Sequence, residues 1–138
     1  MDVITERCGE ITLTVSDRVL SDGRPVLLFT VSGEVTSAAF AHCLERVAGH
    51  GVLSPRCRAI LDIAASTRRT DVDGLFHQAD VLARARVKHL SVCYLSDTEA
   101  TAALVPLVAE VFQRAGVRTD IHICQTLDDA LAWMETLP

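Results

Sequence analysis

Hydrophobic and polar residues alternate in the segment ITLTVSDRV, residues 11–19. A period of two predicts a strand with one face towards solvent. The segment VLLFTV, residues 26–31, is apolar on both faces and predicts a more central strand. Asp22 and Gly23 lie between the two segments and favour a turn. We therefore predict an antiparallel hairpin near the start of the chain.

Past the hairpin, short apolar strands alternate with segments of helical period. The predicted strands are RAILDI, HLSVCYL and DIHIC, residues 58–63, 89–95 and 120–124. The predicted helices begin at Thr36 or Ser37, at Asp71, at the SDTE capping box of residues 96–99 and at the TLDD segment of residues 126–129. Gly116 ends the third helix. Pro106 predicts that this helix is kinked or split.

The element order β β α β α β α β α predicts an α/β fold. Its core is a single-layer mixed sheet of about five strands, an N-terminal antiparallel hairpin followed by parallel β-α units, with about four helices. The chain has 138 residues, of which 49% are hydrophobic and 22% charged. These values are typical of a globular protein with one core. We predict a single domain over residues 1–138.

Charge and cysteine usage narrow the environment and the partners. The net charge of −5 disfavours binding to nucleic acid or anionic lipid, since both attract clustered cations. The chain has no apolar run of about 18 residues, which argues against a membrane span, and its acidic N-terminus does not resemble a signal peptide. Five cysteines without a CxxC pair suit a reducing compartment. We expect a soluble, cytoplasmic protein.

The element order and two local motifs resemble the STAS domain, named for sulfate transporters and anti-sigma-factor antagonists. The strand AILDI reaches Asp62, and DVDGL, residues 71–75, stands where this family has Asp-Ser-Ser-Gly-Leu at a helix start. The segment LDDALAWM, residues 127–134, is similar to the ending of a bacterial STAS-like subgroup that shares its fold with CRAL-TRIO lipid-transfer domains. The resemblance covers residues 10–137. It implies a STAS-like fold and a non-catalytic regulatory role.

In that family the first serine of the motif is a phosphorylation switch. Val72 stands at this position and has no hydroxyl. The switch implied by the resemblance is therefore absent there. Asp73 supplies a permanent negative charge, although a carboxylate in a first helical turn is also ordinary helix stabilisation, which we favour. Ser66, Thr67 and Thr70 stay open as displaced acceptors.

Three aspartates near this junction raise the alternative of a Mg²⁺ site. Asp62, Asp71 and Asp73 do not have EF-hand spacing, and Arg68 and Arg69 would compete for their carboxylates. We favour helix caps and ion pairs, and predict no metal and no cofactor.

Cysteine and histidine pairs raise the alternative of a hydrolase. His42 and Cys43 are neighbours on a helix and point apart, whereas His122 and Cys124 share a strand face. No Asn or Asp stands at a spacing that would orient either pair, so we predict no catalytic residue and no enzyme.

Two functional hypotheses remain ahead of the hydrolase. The first is a regulatory module that docks a protein partner, or a second copy of itself, around residues 66–78. Its predicted partner- or ligand-binding residues are Arg68, Arg69, Thr70, Asp71, Asp73 and His77. The second is a carrier or sensor of a small apolar ligand. Residues 101–112 are apolar on more than one face. Three uses of such a helix stay open: packing on the sheet, covering a ligand pocket, or forming a symmetric dimer. We favour packing on the sheet.

Overall fold

One mixed sheet organises the molecule. The computed structural model describes residues 1–96 and 99–138. The elements are β1 (Ile4–Cys8), β2 (Ile11–Val19), β3 (Pro25–Thr36), α1 (Ser37–Gly49), β4 (Arg56–Arg69), α2 (Val72–Arg84), β5 (His89–Leu95), α3 (Glu99–Arg114), β6 (Arg118–Cys124) and α4 (Leu127–Glu135). The sheet order is β1-β2-β3-β4-β5-β6. The first three strands are antiparallel, and β3 to β6 run parallel. The α/β class predicted from the sequence is confirmed.

The sequential strand order determines which face of the sheet each helix covers. Each of α1, α2 and α3 joins two adjacent parallel strands, and right-handed crossovers advancing in one direction bring all three helices to one face. These helices bury the larger core against β2 to β5. Helix α4 lies on the opposite face, where Ala130 and Met134 pack against Val26, Ile60 and Cys93. No described helix is long and apolar enough to cross a membrane.

The predicted hairpin is present. Strand β2 pairs with β3 through Leu13 opposite Val31 and Val15 opposite Phe29. Leu13 and Val15 of β2 are fully buried, as the alternation predicts, whereas Val19 at the end of the strand is exposed, contrary to the same pattern. Gly23 adopts a left-handed backbone angle, φ 88°, in the connecting turn, where a side chain would be strained.

The sheet has six strands where about five are expected from the sequence, and the additional strand is β1. In this edge strand only Ile4, Glu6 and Cys8 turn towards the protein, and Glu6 interrupts the apolar face. The strand is held by pairing with β2 and by contacts of the Glu6 carboxylate with His50 and Arg46. Two apolar residues in a five-residue strand are too weak a periodic signal to identify it.

Strand β4 is also longer than predicted. The sequence predicted that it ends at Ile63 and that a polar loop follows, but the strand continues to Arg69. Its second half pairs in parallel with the second half of β3, from Ser32 opposite Ala65 to Thr36 opposite Arg69. Backbone hydrogen bonding to a neighbouring strand replaces apolar alternation as the cause of strand structure here.

The predicted helix starts are largely correct. The side chains of Thr36, Asp71 and Thr126 each accept a backbone hydrogen bond from the first turn of α1, α2 and α4. The SDTE capping box includes residues 97 and 98, which lie outside the described residues. Helix α3 continues through Pro106, so the helix is not split. Burial of Val108, Val111 and Phe112 past the proline offsets the lost backbone hydrogen bond.

Candidate functional site

A β-bulge in β4 determines on which face of the sheet the Arg68 side chain lies. Thr30 pairs with Asp62 and Ser32 with Ala65, so one residue of β3 lies opposite two residues of β4. The extra residue reverses the alternation of side chains beyond it. Arg68 therefore falls opposite Val35, which belongs to the core beneath the helices. Without the bulge, Arg68 would lie on the other face of the sheet.

The Arg68 side chain is half-buried beneath α3. Its Nη2 donates a hydrogen bond to Oγ1 of Thr101, a buried residue in the first turns of α3. Thr101 also shares a hydrogen bond of 3.0 Å with Oγ of Ser96. No salt bridge joins Arg68 to a carboxylate in residues 1–96 and 99–138. Burial lowers the pKa of Arg68, yet a guanidinium stays protonated at neutral pH.

Arg68 borders a cavity of about 130 Å³ between the sheet and the helices. The cavity wall is mainly aliphatic and aromatic, with side chains from β3, β4, β5 and all three covering helices. Helix α3 contributes Leu104, Val105 and Val108 to it. Tyr94 also lines the cavity, and burial raises its pKa to about 12, against a lowering effect of the Arg68 charge. The cavity is thus mainly apolar, with a cationic end where Arg68 is half-buried and Arg69 is exposed.

The other residues at the end of β4 are on the outside. Arg69 and Thr70 are exposed, and both also line the cavity. Ser66 is half-buried, and its hydroxyl donates to the carbonyl of Ile63 at 2.7 Å. Thr67 is exposed. The six residues predicted from the sequence are therefore not one surface, because Arg68 turns inward and the others stay near solvent.

Hydrogen bonds of Asp71 connect the start of α2 to the start of α1. Its carboxylate accepts from the backbone N–H of Gly74 at 2.6 Å, and its own N–H donates to Oγ of Ser37 at 3.2 Å. Gln78 donates to the carbonyl of Ser37 at 3.0 Å. A Cβ at Gly74 would lie 2.5 Å from the backbone nitrogen of Ala38. The glycine of the DVDGL motif is required because two helix N-termini meet there.

The outward face of α2 carries exposed apolar side chains. Val72 is 48% exposed and Phe76 44% exposed, one helical turn apart. Asp73 is exposed in the first turn. His77 lies 3.3 Å from the carboxylate of Glu45 on α1, and its ring meets that of His42 edge-on at 5.1 Å. We call Arg69, Val72, Asp73, Phe76 and His77 the α2 surface.

The three aspartates act locally and do not converge. Asp71 caps α2, as predicted. Asp62 accepts from the backbone N–H of Ala64 at the bulge, at 3.2 Å. No ion pair joins Asp62, Asp71 or Asp73 to Arg68 or Arg69 in the described part of the chain, so the predicted alternative of ion pairing is not observed. Among the described residues no group of three metal-ligating side chains converges.

The cysteines lie in apolar surroundings. Burial and a hydrogen bond with Cys8 raise the pKa of Cys43 to about 12. Burial raises the pKa of Cys57 to about 11, and burial with a hydrogen bond to Cys124 raises that of Cys93. Such thiols stay protonated and are poor nucleophiles. His122 is exposed and stacks on Trp133 of α4 at 5.0 Å.

Sequence reasoning did not identify one polar cluster, formed across β5 and β6. Nε2 of His89 and Oγ of Ser91 both contact Oδ2 of Asp120, at 2.5 and 2.9 Å. Burial opposes ionisation of Asp120, but these hydrogen bonds outweigh it and lower its pKa. Ser91 is fully buried and bonds the same oxygen as His89, so it is not placed as a nucleophile. The pairing of Ser91 with Asp120 across parallel strands carries no sequence motif.

The comparison with known proteins supports the fold. No family model and no curated protein sequence matches the chain. The structure is similar to the crystal structure of an anti-sigma factor antagonist from Mycobacterium paratuberculosis, with a TM-score of 0.50 and 23% sequence identity. The similarity covers 91% of this chain and 94% of that chain. At this identity the likeness establishes the fold, and it confirms the STAS-like fold that the motifs indicated.

Proposed function

We propose that this chain is a non-catalytic regulatory module of STAS type that docks a protein partner through the α2 surface. The observation that carries the proposal is the exposure of Val72 and Phe76 on adjacent turns of a helix that is otherwise well packed. Exposed apolar side chains ringed by polar residues are typical of protein-binding sites. The structural neighbour, an anti-sigma factor antagonist, supports this functional class.

Charge would orient the partner on this surface. Arg69 precedes the apolar pair along the chain, Asp73 lies between its two residues, and His77 with Glu45 follows. A mixed rim of this kind favours a partner with complementary charges, and affects association rate and specificity more than affinity. Phe76 is the expected anchor, because buried aromatic residues contribute most to binding at interfaces.

Docking in this proposal does not depend on phosphorylation at position 72. Val72 is exposed at the first position of α2, where a phosphoserine would meet the helix dipole, but it cannot accept a phosphoryl group. The module is therefore proposed to bind its partner without that control. The buried, protonated thiols described above support a role without catalysis.

Site-specific crosslinking tests this proposal. We expect a photoreactive residue at position 76 to form one discrete protein adduct in the host cell, and the same residue at position 19 to form none. Val19 is the matched control, because it is also apolar and 67% exposed but lies at the end of β2. With the purified adduct protein, Phe76→Ala should weaken binding by about 2 kcal/mol, roughly 30-fold.

Val19→Ala should leave that affinity unchanged. Equal adducts from both positions, or an unchanged affinity for Phe76→Ala, would remove the α2 surface from consideration as the docking site. Circular dichroism of both variants checks that the fold is retained.

A further inference from the structure

We infer that the cavity beneath α3 is a binding site for a small apolar carboxylate, with Arg68 holding the carboxylate group. The inference does not depend on the proposed docking function, because it concerns the interior of the larger core. It rests on three features: the shape and lining of the cavity, the lack of a carboxylate partner for Arg68 within residues 1–96 and 99–138, and the β-bulge that turns this arginine inward.

The size of the cavity sets the size of the ligand. Its volume is about 130 Å³, and an apolar cavity of roughly 150 Å³ accommodates a benzene-sized molecule without water. Phe29, Leu61, Leu90 and Val92 form its wall on the sheet side. Such a wall does not satisfy the hydrogen bonds of a sugar or a nucleotide. The ligand body is therefore a short hydrocarbon chain or a single ring.

The cationic end of the cavity sets the charge of the ligand. Arg68 donates one hydrogen bond to Thr101, and its guanidinium has several further N–H donors. Among the described titratable groups, Tyr94 is the one whose charge would affect the pKa of Arg68. With its own pKa raised to about 12, Tyr94 is neutral at physiological pH. A half-buried cation without a carboxylate partner is costly unless an anion binds it.

A carboxylate suits this position better than a phosphate. The planar guanidinium fork matches the two oxygens of a carboxylate, and one positive charge balances one negative charge. A phosphate dianion would bring a second charge into an apolar wall. Ser37, another polar residue of the cavity wall, is already engaged, since its hydroxyl accepts from the backbone N–H of Asp71 and its carbonyl accepts from Gln78.

Benzoate and benzamide are the matched probes, because they have the same shape and differ in charge. Isothermal titration should show saturable benzoate binding to the wild-type protein below about 10 mM, the weak range expected of so small a ligand. Benzamide should bind about tenfold more weakly, since it loses the charge-assisted hydrogen bonds. Arg68→Gln should reduce benzoate affinity about tenfold and leave benzamide affinity unchanged.

Two further variants keep the test decisive. Arg18→Gln removes an exposed charge at the end of β2 that does not border the cavity, and it should not change benzoate binding. Val105→Phe fills the cavity from α3 and should abolish binding of both probes. Retained benzamide binding shows that the cavity of Arg68→Gln is intact. Absence of saturable benzoate binding to the wild-type protein, equal binding of the two probes, or an equal loss with Arg18→Gln would overturn the inference.

Discussion

Gly74 shows how one residue fixes the geometry of the docking helix. Its hydrogen atom faces the backbone of Ala38 and the side chain of Ser37, where a methyl group would lie at 2.5 Å from both. Gly74→Ala should therefore destabilise the protein by about 1–3 kcal/mol, as overpacking against backbone does. Urea unfolding measures this value.

Gly49→Ala is the control for that substitution. Gly49 is also a helical residue, at the end of α1, but a Cβ there would meet no atom within 4 Å. It should change the free energy of unfolding by less than about 0.5 kcal/mol. Equal effects of the two substitutions would show that the N-termini of α1 and α2 are not in close contact.

Residue identity predicts some of the roles at this junction and not others, as Asp71, Arg68 and Val72 show. The capping role of Asp71 follows from its position before a helical period, and the structure confirms it. The inward direction of Arg68 could not be predicted, because it depends on the pairing of β4 with β3. The exposure of Val72 and Phe76 could not be predicted either, since apolar residues in an amphipathic helix are expected to face the core.

At the level of elements, strands with apolar alternation were predicted well and polar strands were not. Segments 11–19 and 89–95 match β2 and β5. The polar ends of β3 and β4, SGEVT and ASTRR, form strands only because they pair with each other. Their residues carry no period, and the bulge between Asp62 and Ala65, which turns Arg68 towards the core, has no sequence signature.

The contact between β5 and β6 gives a prediction about pH. Asp120 has a lowered pKa in the folded protein, so its hydrogen bonds stabilise the fold at pH values above its ordinary pKa of 3.8. This stabilisation is lost as pH falls through the lowered folded pKa. Asp120→Asn should cost about 0.2–1 kcal/mol at pH 7, since the pair is partly exposed to solvent, and much less near pH 3.

Urea unfolding at both pH values measures this difference, with Asp2→Asn as the control. Asp2 is exposed at the N-terminus, so its substitution should have the same small effect at pH 7 and near pH 3. If the effect of Asp120→Asn were also independent of pH, the hydrogen bonds from His89 and Ser91 would not stabilise the carboxylate.

At the scale of the whole molecule, two separate regions meet at the end of β4. The cavity lies inside the larger core, between the sheet and α1, α2 and α3. The α2 surface lies on the outside of the protein, on the face of α2 that points away from the core. Arg68 and Arg69 are adjacent in sequence; Arg68 is half-buried at the cavity, whereas Arg69 is exposed and lies between the cavity and the α2 surface. The STAS-like sheet thereby carries two proposed recognition sites at one junction.

The most direct test compares Phe76→Ala and Arg68→Gln in side-by-side titrations with benzoate and with the protein captured by crosslinking at position 76. The account predicts that Phe76→Ala loses affinity for the protein and keeps affinity for benzoate, whereas Arg68→Gln does the reverse. A parallel loss of both affinities in each variant would contradict the separation of an interior site from an exterior one.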